Sequence, residues 1–161
     1  MPSRTGSPPA TVEQIPVPPH VSGFSSLARV DYSDAFRVTT ARGRKRGAEA
    51  WMRAVLEDAP APMRAQLLSG WTALGLKLAR PGREGSVLGW EVRHSEPGHV
   101  RLGADSRAGM PAELLLFREK GALLFSTYIQ FESAAVRLAW KAVEPVHCPI
   151  VRLLLARAAG A

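Results

Sequence analysis

Leu123-Leu124-Phe125-Ser126-Thr127-Tyr128-Ile129-Gln130-Phe131-Glu132-Ser133 is the stretch whose reading decides the fold. Leu123, Phe125, Thr127, Ile129 and Phe131 recur with period two, the signature of a strand with one buried face. Ser133, a favoured N-cap residue, then passes the chain into a repeat of helical spacing that runs toward Ala161. A strand that leads into a long closing helix predicts a sheet wrapped around that helix, with a cavity between them.

Within the helix, Val136, Trp140, Val143 or Glu144, His147, Val151 and Leu154 fall on one stripe that mixes apolar and ionisable groups. Pro145 and Pro149 each remove a backbone donor, which predicts a kink near 141–146 or an interruption and restart there.

Upstream, short turns join more strands. Residues 112–119 meet 122–132 through Lys120-Gly121, where glycine supplies the positive φ of a tight turn. Residues 87–95, alternating Leu88, Trp90, Val92 and His94, connect to 100–105 through Glu96-Pro97-Gly98, read as a type II turn. An earlier strand at 30–40 sets Tyr32, Asp34, Phe36 and Val38 on one mixed face. Two helices follow it: 48–59, closed by Pro60 and Pro62, and one from about Pro62 that stacks Met63, Leu67, Trp71 and Leu74 before Gly75. The class is α+β, with an antiparallel sheet favoured because the links are too short for crossover helices.

At 161 residues the chain has room for one core, and it is divided into a proline-rich tail over 1–23, expected to be disordered, and one domain over 24–161. No stretch approaches the roughly 20 apolar residues of a membrane span, and residues 1–23 lack a signal-peptide core, so a cytoplasmic location is expected. The single cysteine, Cys148, excludes an intramolecular disulfide. The net charge of +7 raises nucleic acid as a partner. Its one dense cluster, Arg42-Gly43-Arg44-Lys45-Arg46, has no interleaved aromatic residues for base stacking and reads as a solvated loop, which argues against that partner.

Asp31-Tyr32-Ser33-Asp34-Ala35-Phe36, Leu88-Gly89-Trp90, and Trp140 with Pro145-Val146-His147 together resemble an uncharacterised bacterial domain family of unknown function, over about residues 28–158. That family is similar to the START/SRPBCC, polyketide cyclase-like superfamily. The resemblance implies a helix-grip fold: a curved antiparallel sheet wrapped around a long C-terminal helix, here with two short helices after the first strand. It also implies a hydrophobic cavity and a possible oxidoreductase partner on a separate chain, since members of the family are fused behind nucleotide-binding oxidoreductase domains. No glycine-rich dinucleotide turn follows a strand in residues 1–23.

Glu144 and His147, three residues apart on one helical turn, can form an acid–base pair. The plainer account has His147 capping a backbone group at the proline and Glu144 in solvent. An inward Asp34 needs a partner such as Arg137 or Arg118. Metal ligation is not expected: Glu144 and His147 are too few for zinc, His94 and His99 lie on a separate hairpin, and Cys148 points about 100° away from His147. No cofactor motif, nucleophile elbow, P-loop or zinc helix is present.

The leading expectation is a protein that holds a hydrophobic or amphipathic small molecule between sheet and helix. Trp90, Tyr128 and Trp140 would form its walls, and Asp34, Arg137, Glu144 and His147 its polar contacts. A cyclase- or dehydratase-like enzyme using His147 with Glu144 or Asp34 is the first alternative. A protein-interaction module working through the tail or Arg42 to Arg46 is the second.

Overall fold

The computed structural model describes residues 10–40 and 46–160; residues 42–45 of the basic cluster and 1–9 of the tail lie outside them. Seven antiparallel strands form one curved sheet. They are β1 (Val12–Ile15), β2 (Tyr32–Thr39), β3 (Ser86–Val87), β4 (Trp90–Glu96), β5 (His99–Ala104), β6 (Ala112–Glu119) and β7 (Ala122–Ile129), in the spatial order β1-β2-β7-β6-β5-β4-β3. The helices are a single turn, α1 (Pro19–Ser22), then α2 (Ala48–Leu56), α3 (Ala61–Ala73) and the long α4 (Ala134–Gly160). None of these helices is long and apolar enough to cross a membrane.

The α+β class and the five strands read from sequence are present, and β7 keeps the expected alternation. Leu123, Phe125 and Ile129 enter the core cluster on the helix side, together with Phe36 and Val38 of β2. The register Asp34↔Thr127 and Phe36↔Phe125 places these pairs side by side on that face. α2 covers β3 to β6 and packs on α4, while α4 lies over β1 and β2. The Ser133 hydroxyl accepts the Val136 amide at 3.3 Å, as an N-cap does.

Four expectations are corrected. Residues 10–23 are not a disordered tail: Val12–Ile15 pairs with β2 as an edge strand, and Val21 is fully buried. The prolines bar a helix interior and a central strand but suit an edge strand and the first turn of α1 at Pro19, a path that carries Val17, Val21, Phe24 and Leu27 onto the outer sheet face, against Leu115, Phe117 and Leu124. A polar contact fastens this segment, since the fully buried Glu113 carboxylate accepts the Ser25 hydroxyl at 2.7 Å and the Ser26 amide at 3.0 Å. Arg101, 3.5 Å from that carboxylate, holds the same segment by donating to the Phe24 carbonyl at 2.7 Å.

The strand expected over 87–95 is cut by a turn at Leu88 and Gly89, both with positive φ (46° and 90°), so that Val87 pairs with Trp90. The Leu88 amide is held there by the Glu57 carboxylate at 3.2 Å. The turn at Pro97 and Gly98 is not type II, because Gly98 does not take the positive φ that type requires. Of the two outcomes expected at the prolines, the interruption is the one corrected: α4 runs through Pro145 and Pro149 as one helix. Its packing against α2 and the sheet outweighs the two lost amide donors.

Gly75 ends α3 region as expected, with φ of 83°. A Cβ there would also lie 2.6 Å from Ala108 Cβ and 3.0 Å from its amide nitrogen. Gly75→Ala is therefore expected to lose about 2 kcal/mol of stability in urea unfolding, combining left-handed strain with the clash.

Candidate functional site

β2 and β7 run side by side, and α4 crosses above β2. Position 34 thereby sits on the inner sheet face under the middle of the helix, where His147 comes down upon it. Asp34 Oδ2 accepts from the Tyr32 hydroxyl at 2.7 Å and lies 2.9 Å from His147 Nε2, and Asp34 Oδ1 accepts the Thr127 amide at 3.2 Å. The Asp34 side chain is 2% exposed and that of His147 is 16% exposed. A carboxylate can only accept, so the imidazole donates through Nε2–H and keeps Nδ1 as its remaining polar atom. Trp140, two turns earlier on α4, packs its ring against Tyr32 (5.0 Å) and His147 (4.9 Å), fixing both.

Burial pushes the Tyr32 phenol up, and Asp34 beside it adds to the effect, so it stays a hydrogen-bond donor at every physiological pH. Cys148 Sγ lies 3.9 Å from the Tyr32 hydroxyl. Burial raises its thiol above the ordinary value despite that contact. Iodoacetamide is accordingly expected to alkylate Cys148 more slowly in the native protein than in the urea-unfolded chain at pH 8. Its native pH–rate curve should have a midpoint above that of an ordinary thiol.

His147 also faces a cavity of about 310 Å³ between α3 and α4. Met63, Leu67, Trp71 and Leu74, the stripe read from the sequence of α3, form one wall, and Trp140, Val143 and Ile150 the other. The hollow exists because α3 carries Gly70 and Ala73 on this side, and a Cβ added at Gly70 would meet nothing within 4 Å. A second cavity, of about 560 Å³, lies beside Lys77, Arg83, Glu84, Glu91, Arg93 and Asp105; its charges of both signs leave it a hydrated surface cleft.

The predicted site residues divide sharply. Asp34, Trp140 and His147 come together. Trp90 stands behind the wall, meeting Trp71 edge-on at 5.4 Å. Tyr128 is corrected: it points to the opposite sheet face, among Leu115, Phe117 and Leu124, because it is out of phase by one residue with the inward Thr127 and Ile129. Arg137 is half exposed, stacks on Phe131 at 5.1 Å and lies 3.9 Å from Asp31, far from the partnership with Asp34 expected of it. Arg118 instead donates to the Arg46 carbonyl at 2.9 Å. Glu144 makes no hydrogen bond or ion pair with His147 among the described residues; Asp34 takes that place.

Tyr32 and the α3 wall were absent from the expected site. The sequence signal for Tyr32 was its position two residues before Asp34 on the same strand face, and that for α3 was its Met63–Leu67–Trp71–Leu74 stripe. Among the described residues, the donors of Asp34, His147 and Cys148 do not converge as a metal site. No family model, curated protein or solved structure matches the chain.

Proposed function

We propose that this protein binds an amphipathic small molecule in the cavity between α3 and α4, its apolar body against Met63, Leu67, Trp71 and Ile150 and its polar head on His147. The observation that carries this reading is the meeting of an apolar hollow with one oriented imidazole, held from behind by the buried Asp34. Ligand sites of roughly 300–1,000 Å³ have this character, mostly apolar with a few fixed polar groups. We read the architecture as helix-grip-like, in keeping with the START/SRPBCC resemblance and supported by the curved sheet and the long closing helix. The ligand space lies on the α3 flank of that helix; its sheet side is filled by core residues.

A second reading, proton-transfer catalysis, is favoured by one feature: Asp34 and His147 have the relationship of an orienting carboxylate to a general base. Binding alone is the better account because, among the described residues, His147 is the one ionisable side chain on the cavity wall, whereas an enzyme of this kind needs two groups converging on the ligand. Native mass spectrometry of the protein purified from its own host tests the reading. A discrete bound mass that is lost in Trp140→Ala is expected, and bare protein throughout would count against it.

A further inference from the structure

We propose that His94, Glu96 and His99 on the β4–β5 hairpin form a binding site for a divalent transition-metal ion, zinc being the best fit. His94 Nε2 lies 3.0 Å from His99 Nε2, His94 Nε2 lies 3.3 Å from Glu96 Oε1, and His99 Nε2 lies 3.8 Å from Glu96 Oε2. Three ligands each about 2.0–2.1 Å from a tetrahedral zinc ion are about 3.3–3.4 Å from one another; the two imidazole nitrogens are within a few tenths of an ångström of that spacing, and the exposed Glu96 carboxylate, whose Oε1 faces His94 and Oε2 faces His99, turns to bring one oxygen to the same ion. Two imidazoles and one carboxylate leave a fourth position for water or an outside ligand.

The fold builds this arrangement by two local devices. Glu96 and His99 flank the two-residue turn and pair directly across the hairpin, which puts them on the same outer face. His94 would point to the core in an unbroken ladder. A bulge between Val92 and His94 shifts the register by one residue, pairs His94 with Arg101 and turns its ring to the outer face. His99 is then held by Phe24, whose ring centroid is 4.4 Å away, and by Phe117, stacked at 5.4 Å, so one ligand is fixed by packing before any ion arrives. The side chains of His94 and Glu96 are 37% and 57% exposed, which leaves the site open to ions from solvent.

A histidine–histidine hydrogen bond is the competing account, with one ring donating to the other. It requires no third ligand, and under it Glu96 is dispensable.

The test is calorimetric titration of the tag-free, chelator-treated full chain with zinc chloride, with histidine side-chain nuclear magnetic resonance following the ring nitrogens. One ion per chain is expected, with the nitrogen signals of His94 and His99 shifting while those of His20 and His147 stay in place. The solvent-exposed substitutions His94→Gln and Glu96→Gln should each weaken binding at least about tenfold, as loss of a direct ligand does at least as much as loss of its supporting contacts. His99→Gln, which also disturbs the packing against Phe24 and Phe117, is not needed for the conclusion. Absence of saturable binding, binding unchanged in Glu96→Gln, or shifts confined to His147 would each overturn the assignment.

Discussion

Gly70→Phe is expected to abolish binding of an amphipathic probe with a donor head, such as decylamine, while leaving the protein folded. Position 70 is the hollow in the α3 wall: it is helical, it lines the cavity, and nothing approaches its missing Cβ within 4 Å. A phenyl ring there enters the space the ligand body needs, at no cost in backbone strain. Exchanging a mid-helix glycine for a residue with a side chain adds a few tenths of a kcal/mol or more to helix stability, so the unfolding midpoint should hold or rise. Titration followed by the fluorescence of Trp71 and Trp140 should show at least about a hundredfold loss of affinity, equivalent to roughly 2.7 kcal/mol. Gly70→Ala provides the control, gaining up to about 1 kcal/mol of stability and adding only a methyl group to the wall. Unchanged affinity in Gly70→Phe would place the ligand elsewhere.

The second large effect is expected at Asp34. Its carboxylate is the common acceptor for the Tyr32 hydroxyl, the Thr127 amide and His147 Nε2, and Asp34→Ala leaves all three donors without it inside the protein. Removing one member of a buried polar pair costs about 3–5 kcal/mol, because the desolvation of its partners is no longer offset. Urea unfolding should therefore show a loss of that order, a large part of the stability of a domain this size. Asp34→Asn separates the structural role from the orienting one. It keeps an oxygen at the Oδ1 place for the Thr127 amide and presents its amide group at the Oδ2 place, donating to the Tyr32 hydroxyl oxygen and to His147 Nε2, which would invert the imidazole tautomer so that Nδ1 carries the proton. That variant should stay folded and change its preference between acceptor and donor head groups, measured as decanoate against decylamine. Equal stability of Asp34→Ala and the parent chain would show the buried contacts to be worth little.

Periodicity made much of the fold legible. The alternation of Leu123, Phe125 and Ile129, the Ser133 cap and the stripe on α3 are local patterns, and local patterns report local structure. Register was harder to see. Tyr128 lies inside an apolar run, where a one-residue choice decides between the cavity side and the outer face, and its neighbours on both faces are hydrophobic. The N-terminal segment was misread because proline content speaks against helix and central strand, yet leaves open an edge strand and an extended path held by Glu113, a residue far along the chain.

At the site, Asp34, Trp140 and His147 were each legible as inward groups on a strand or helix. Their partnership was not, since the angle and height at which α4 crosses β2 depend on the packing of the whole inner face. Glu144 looked like the partner of His147 because it is three residues away on the same helix. Asp34, 113 positions distant in sequence, is the residue that touches it.

Proton–nitrogen correlation spectra of the isotopically labelled protein, recorded during titration with decylamine, test the central claim most directly. The account predicts saturable shifts concentrated at Gly70, Trp71, the Trp140 indole and His147, with the outer-face residues Leu115 and Tyr128 unaffected. Shifts centred on the polar cleft at Lys77 and Asp105, or on the outer face of the sheet, would contradict it.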